Sequence, residues 1–377
     1  MIRLAVLGST GSVGTQTLDV ARWRGYRVVG LAAGGNAELL IRQALEFLPE
    51  LVSCDARCAE QVRSELPASI AVSTNSEDVA ALDADVVMAA IPGTAGLRPT
   101  ARALESGRRV ALAHKEAMVI AGPLVWEVAR RHGTEIITVD SEHSALLQCL
   151  AGEDKEAVER LVLTASGGPF REEPEDLSRV TPQQALQHPN WSMGHRITVD
   201  SATLFNKGLE LLEAHFLFGM PLEKIEVLIH PQQLVHGLVR FADGSIKAQI
   251  GPHDMRLPIQ YAIEYPDRPP VPLAPLSLAG RWDFFEPDVT RFPSLRLARE
   301  AGQLGGVAPA ALNAADEVAV EAFLAGRARF TDIAATLEHV LERVPAQPLD
   351  WRSLAEADAQ ARQLAASFLQ GEAVPGE

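Results

Sequence analysis

An apolar run, Ile2–Leu7, breaks into Gly8-Ser9-Thr10-Gly11-Ser12-Val13-Gly14 and leads into a helix-compatible stretch from Gly14 to Trp23. No other feature restricts the possible folds as much. A strand, a glycine-rich turn and a helix in this order place backbone N–H groups at a helix N-terminus, where a pyrophosphate can sit. The spacing is G-x-x-G-x-x-G, not G-x-G-x-x-G, so a plain tight turn remains the competing reading. Further strand-like runs recur at Arg27–Ala32, Val86–Ala90, Arg109–Ala113 and Glu135–Val139, with helix-period segments between them. Strands alternating with helices predict an α/β fold with a parallel, Rossmann-like doubly wound sheet, here over residues 1–145.

The turn after the second strand reads Ala33-Gly34-Gly35-Asn36. A carboxylate roughly 20 residues beyond the glycine turn would bind an NAD ribose. None is present, which favours NADP by removing a repulsion. No Lys or Arg occupies the turn to supply an attraction.

Beyond the fifth strand stands Asp140-Ser141-Glu142-His143, followed by Ala145-Leu146-Leu147. Two carboxylates at i and i+2 on a strand end share a face and can converge on one cation. Oxygen ligands suit Mg²⁺ or Mn²⁺ better than zinc. Acidic residues also favour the first turn of a helix, so a capping role stays open. His114-Lys115-Glu116 follows another strand end, where ligands of such sheets bind; Lys115 is either a substrate contact or a solvated surface lysine.

After Arg160 the rhythm changes. A strand, Leu161–Thr164, leads into a polar segment from Gly167 to His195 with four prolines, the length of a lid or a disordered loop. Its end, His188-Pro189-Asn190-Trp191-Ser192-Met193-Gly194, offers an indole and a thioether able to cover a ligand, or to anchor the loop in a core. A helix is expected over Ala202–Phe218 with Ser201 as its cap. Asn206, Lys207 and Glu210 lie on its first turns, either as an anion and metal site or as a surface ion pair. Strands at Glu226–Ile229, Leu234–Phe241 and Ser245–Ile250, the last two joined at Asp243-Gly244, predict an α+β domain with a mixed or antiparallel sheet over 146–265, its lid at about 167–195. Seven prolines between Pro266 and Pro293 read as a surface linker, and 294–377 as a helical bundle.

A net charge of −15 disfavours nucleic acid and anionic membranes as partners, so any phosphorylated ligand needs a local positive field. The longest apolar stretch, Val86–Ile91, is too short to span a bilayer, and the amino terminus does not read as a signal peptide. Cys54, Cys58 and Cys149 make no disulfide framework and read as buried small residues. A cytoplasmic protein is expected.

The chain resembles 1-deoxy-D-xylulose 5-phosphate reductoisomerases over its whole length. The matching stretches are Gly8–Gly14, Lys115-Glu116, Val139–Leu147, Leu163–Phe170, His188–Gly194, Thr198–Glu210, Ile229-His230-Pro231-Gln232 and Pro309–Val320. The resemblance implies an NADPH domain, a catalytic and dimer-forming domain and a C-terminal helical bundle. The implied activity is a metal-dependent skeletal rearrangement of the sugar phosphate followed by reduction with NADPH, in non-mevalonate isoprenoid biosynthesis, by a homodimer. By position, Asp140, Glu142 and Glu210 would hold Mg²⁺, Mn²⁺ or Co²⁺ and, with Lys115, carry the catalysis. Lys115, Ser141, Glu142 and Glu210 would meet the reacting end of the substrate. Ser166, Ser201, Asn206 and Lys207 would take its phosphate, with His188 and Trp191 from the lid. Gly8, Thr10, Gly11, Ser12, Val13, Gly34, Gly35, Asn36, His114, Glu116 and Gly194 would line the nucleotide.

Three positions depart from the family pattern. Gly35 stands where Lys or Arg usually pairs with the 2′-phosphate, His114 where asparagine is usual, and Gly237 where a serine commonly follows His236. A compensating charge for Gly35 has to come from Arg42 or elsewhere. Two other readings of the same residues are a dehydrogenase of another sugar phosphate, without rearrangement, and a non-catalytic NADP-sensing protein.

Overall fold

Short, mainly apolar runs, largely buried except at the edge strand β4, form seven strands: β1 (Arg3–Leu7), β2 (Arg27–Ala32), β3 (Leu51–Ser53), β4 (Ala71–Ser73), β5 (Val86–Ala89), β6 (Arg109–Leu112) and β7 (Ile136–Thr138). They pair in the order β4-β3-β2-β1-β5-β6-β7, every pair parallel. The order reverses between β1 and β5, which opens a crevice at the carboxyl ends of those two strands. The computed structural model describes residues 1–191 and 193–371, and this sheet belongs to the first of two units, Met1–Ala117, Val125–Ser144 and Asp254–Pro275.

The second unit comprises Met118–Leu124, Ala145–His253 and the chain from Leu276 onward. Its sheet runs β11 (Ile246–Ile250), β10 (Val235–Phe241), β8 (Val158–Ala165), β9 (Ile225–Ile229), with β8 and β9 parallel and β10 antiparallel to both neighbours. The β10–β11 turn forms at Asp243-Gly244 as its residues require. Gly244 takes φ +84°, and the Asp243 carboxylate accepts from Ser245 N–H at 2.9 Å. Leu161, Leu163, Val227 and Ile229 pack with Phe205, Leu209 and Leu212 and with the helices Ser294–Leu304, Ala308–Leu324 and Phe330–Arg343 in one core. Among the described residues no helix is long and apolar enough to cross a membrane.

Several elements differ from the sequence expectation. The helix expected over Ala202–Phe218 is two helices, His195–Ala202 and Phe205–Phe218, separated where Leu204 takes φ +59°. Leu204 is the N-cap of the second helix, Thr203 Oγ1 before it accepts from Phe205 N–H at 3.3 Å, and Ser201 lies in the last turn of the first. The helix Arg256–Glu264 belongs with the first unit, although the second domain was drawn to residue 265. Trp23 Nε1 donates to Gln260 at 2.8 Å and Arg24 Nε to Glu264 at 2.7 Å, bonds no local pattern announces.

The proline-rich stretch is tied down in part. Phe285 pairs with Ile229 through two backbone bonds, and Gln232 donates to Asp283 at 2.9 Å. The polar 167–195 segment is anchored too. Phe170 packs edge-on to Phe330 at 5.3 Å, and Arg291 donates to the Phe170 and Pro174 carbonyls.

Close approach of two helices sets the position of Asn206, Lys207 and Glu210. A Cβ on Gly208 would fall 2.5 Å from Ala298 Cβ, so the helix Phe205–Phe218 lies against Ser294–Leu304 with no room for a methyl. Gly208→Ala is therefore expected to lower stability by roughly 1–3 kcal/mol in denaturant titration. Adding Ala298→Gly should recover part of that loss; an unchanged midpoint in the single variant would contradict this packing.

Candidate functional site

The first unit builds a tight glycine-rich cradle from the β1 turn. Gly8 takes φ +87°, and a Cβ there would lie 2.5 Å from Ala90 O, at the end of the neighbouring β5. A Cβ on Gly14 would lie 2.1 Å from Gly8 O, so the glycine lets the helix Ser12–Arg24 press against its own turn. That helix has no side-chain cap and no acidic residue in its first turn. Its N–H groups and positive dipole end at Gly11, Ser12 and Val13, beside Thr10, suit an anion. Gln43 braces the turn by donating to Ser9 O at 2.9 Å.

Gly34, Gly35 and Asn36 form the exposed turn after β2, where Asn36 caps the helix Ala37–Phe47 through Leu39 N–H at 3.2 Å. His114 and Glu116 grip the loop beyond β5: His114 Nε2 meets Gly93 O at 2.8 Å, and Glu116 accepts from Gly93 N–H at 3.1 Å. Thr100 holds the other imidazole nitrogen at 3.2 Å. The His114 ring is buried, and its visible work is to shape that loop.

Lys115 opens the helix after β6, and its ammonium pairs with the Asp140 carboxylate. Asp140 follows β7 and its carbonyl accepts from Ser144 N–H at 2.8 Å, so it stands at the start of the helix Ser141–Leu150. Glu142 lies in the first turn of that helix, not on a strand end, and Ser141 Oγ donates to it. One oxygen of each carboxylate lies within 4.8 Å of the other. Lys115, Asp140 and Glu142 are all buried. Burial pushes the Asp140 carboxyl up, but the Lys115 ammonium and His143 outweigh it and hold it well below the usual carboxylate range. The ionised Asp140 and the neighbouring Glu142, at a helix N-terminus with a cation beside them, offer oxygen donors suited to a hard divalent ion.

The second unit holds the residues expected to meet an anion. Asn206 Nδ2 donates to Glu210 at 2.6 Å and the Lys207 ammonium pairs with the same carboxylate; Lys207 and Glu210 are buried. Ser166 ends β8. Its Oγ accepts from Gly168 N–H at 3.1 Å and faces His188 Nε2 at 3.1 Å. His188 Nδ1 accepts from the N–H groups of Asn190 (3.2 Å) and Trp191 (3.0 Å), which places the ring proton on Nε2. With both lone pairs occupied, the Ser166 hydroxyl has its own proton to give to an anion. A Cβ on Gly168 would fall 3.0 Å from Ser201 O, which brings the Ser166 turn against Ser201.

Trp191 lies edge-on to His253 at 5.6 Å, and Asn190 donates to Pro231 O at 2.8 Å, so this loop has fixed partners. Ser192 lies outside the described residues. Gly194 starts the helix His195–Ala202 in this unit. His236 and His253 bond the carbonyls of Gly251 (3.1 Å) and Gln232 (2.8 Å), and His230 stacks on Phe284 at 4.4 Å.

Sequence reasoning missed Gln43, Thr100 and Arg196. Arg196 binds Asn313 (2.9 Å), Asp316 (3.3 Å) and Glu317 (2.9 Å), tying the helix after the loop to Ala308–Leu324. No spacing could have signalled a pairing across more than 100 residues. Glu213, buried one turn beyond Glu210, had an i, i+3 signal available.

Three family models match: "1-deoxy-D-xylulose 5-phosphate reductoisomerase" over residues 4–122, its C-terminal domain over 136–218, and "DXP reductoisomerase C-terminal domain" over 250–364. The chain is 59% identical to 1-deoxy-D-xylulose 5-phosphate reductoisomerase of Thermus thermophilus, covering 96% of this chain and 98% of that one. It is 51% identical to the Anaeromyxobacter dehalogenans protein of the same name, covering 95% and 94%. The Zymomonas mobilis enzyme solved with NADPH superposes with a TM-score of 0.91 at 40% identity, covering 98% and 99%. A DOX-P reductoisomerase solved with NADPH, fosmidomycin and magnesium gives 0.93 at 36% identity, covering 98% of each.

Burial, aided by the nearby charge of His253, lowers the His188 pKa from 6.5 to about 4. Nitrogen-15 NMR should therefore find the ring neutral, protonated on Nε2, throughout about pH 6 to 8. Because the folded value lies below the unfolded one, the neutral ring stabilises the fold above pH 6.5. That contribution is lost as pH falls from there through about 4. A midpoint near 6.5 in the folded protein would contradict the buried Ser166–His188 geometry.

Proposed function

The chain belongs to the 1-deoxy-D-xylulose 5-phosphate reductoisomerase family, and we propose which of its residues carry that family's reaction. The enzyme converts 1-deoxy-D-xylulose 5-phosphate to 2-C-methyl-D-erythritol 4-phosphate and depends on NADPH and a divalent cation. The observation that carries the assignment of roles is the buried, ionised Asp140 beside Glu142 and Lys115 at one helix start.

In this reading Asp140, Glu142 and Glu210 would hold Mg²⁺, Mn²⁺ or Co²⁺. All three offer buried carboxylate oxygens, the donor chemistry such ions take. When bound, the ion acts as a Lewis acid toward the substrate's ketone and neighbouring hydroxyl. Lys115 adds an ammonium donor at the reacting oxygens, and Ser141 orients Glu142. Ser166 gives its free proton to the substrate phosphate, and Ser201, Asn206 and Lys207 supply the remaining donors. Anchoring the phosphate provides remote binding energy for positioning the carbon skeleton. His188 fixes Ser166 as a donor, while Trp191 covers the ligand and excludes water. The turns at Gly8–Val13 and Gly34–Asn36, with the loop held by His114 and Glu116, present NADPH, whose hydride reduces the rearranged aldehyde. Gly194 also contributes to the nucleotide site in this reading.

We assign the enzyme to the cytoplasm as a homodimer. The exposed edge strand β11, carrying Ile246 and Ile250 outward, supports self-association.

Purified protein given deoxyxylulose phosphate, Mg²⁺ and NADPH should oxidise the nucleotide and yield a branched carbon chain by carbon-13 NMR. An unbranched product would point to a simple dehydrogenase. Glu210→Gln should lower kcat at least about a hundredfold and weaken Mn²⁺ binding by electron paramagnetic resonance. Undiminished Mn²⁺ affinity in both Glu210→Gln and Asp140→Asn would remove these residues from the ligand set.

A further inference from the structure

We propose that Arg57 reads the 2′-phosphate of the dinucleotide in this enzyme, in place of a basic side chain at position 35. The proposal rests on the reading of the chain as an NADPH-dependent enzyme. In a doubly wound sheet the adenosine ribose lies over the end of the second strand, where an acid selects the 2′-hydroxyl and an arginine accommodates a 2′-phosphate. Here that place is the turn Gly34-Gly35-Asn36 after β2, which has neither.

The neighbouring strand supplies the missing charge. β3 runs parallel to β2, and Ala33 N–H binds Ser53 O at 2.9 Å. The chain then returns over the β2 turn: Asp55 N–H binds Gly34 O at 3.3 Å, and Cys58 Sγ donates to Gly35 O at 3.5 Å. Arg57, between those two anchors, lies across the turn. A Cβ on Gly35 would fall 2.6 Å from Arg57 Nη2 and 3.4 Å from Cζ. Gly35 is not among the residues with positive φ, so its backbone does not call for glycine. Its missing side chain makes space, and the guanidinium fills that space.

The same corner explains why the charge matters. Asp55 Oδ2 lies 3.5 Å from the Gly35 Cβ position, and both Asp55 oxygens lie 3.9 Å from that of Gly34. Alone, this carboxylate would repel a 2′-phosphate and favour a 2′-hydroxyl. Arg57 Nη2 binds it at 3.0 Å and neutralises it. The Arg57 side chain is 77% exposed, and an exposed pair of this kind is held weakly. A phosphate can therefore recruit the other N–H groups of the guanidinium, in the two-pronged geometry it prefers. On a chain of net charge −15 this local cation also offsets a repulsive field. Arg42, the other candidate, is exposed on the helix Ala37–Phe47.

The test is equilibrium binding to the free enzyme, by calorimetry, of NADPH, NADH, 2′,5′-ADP and 5′-AMP. Wild type is expected to prefer the 2′-phosphorylated member of each pair. Arg57→Ala should weaken NADPH and 2′,5′-ADP by about 10- to 100-fold and leave NADH and 5′-AMP within about threefold. Arg57→Lys should lose less, and Arg42→Ala should leave the preference unchanged. Wild type that binds neither dinucleotide overturns the NADPH-dependent reading and this proposal with it. Wild type that prefers NADPH, with the same preference in Arg57→Ala, overturns the proposal alone. So does a preference that collapses in Arg42→Ala while surviving in Arg57→Ala.

Discussion

A charge removed from water must be paired, and this chain is organised around that constraint. Lys115, Asp140, Glu142, Lys207 and Glu210 are all buried. Each such ion costs several kcal/mol to desolvate unless a partner and hydrogen bonds compensate. Lys115 meets Asp140, Lys207 meets Glu210, and helix starts supply dipoles and N–H groups. These candidate site groups are thus held in place by one another, and the Lys115 ammonium and His143 keep Asp140 ionised. Removing one member leaves its partner as an uncompensated charge, so function and stability are coupled at these positions.

The second constraint is space. Gly14 lets a helix touch its own glycine-rich turn, and Gly208 lets another helix settle against Ser294–Leu304 while carrying Lys207 and Glu210 on either side. In neither place does the glycine act through an unusual backbone angle; it acts by lacking a Cβ. The same holds at Gly35, where the vacated volume admits a guanidinium from a different strand.

Much of the architecture was legible in the residues. The strand–turn–helix at Gly8–Gly14, the parallel sheet and the β10–β11 turn at Asp243-Gly244 appear as expected. Each depends on periodicity or turn chemistry within a few residues. The tetrad Asp140–His143 was legible as a site but not as a shape. It sits at a helix start, and the two carboxylates approach through that first turn, so the capping and ligand readings describe the same residues. The break at Leu204 went unseen because Ala202–Phe218 has helical composition throughout, and only Thr203 Oγ1 on Phe205 N–H marks the restart. The proline-rich stretch read as a free linker because its bonds to Ile229 and Gln232 span more than 50 residues.

By itself the sequence determined the fold class and the family, and it marked the glycine-rich turn, the carboxylates and the lysines as candidates for the site. These follow from local pattern and from residue types whose chemistry admits few uses. Tertiary structure alone decided which groups meet. It set Lys115 against Asp140, Gln43 on Ser9 and Arg196 on the helix Ala308–Leu324. It also brought Arg57 over the turn that Gly35 leaves open. Such pairings depend on strand order and helix approach, which no short window of sequence contains.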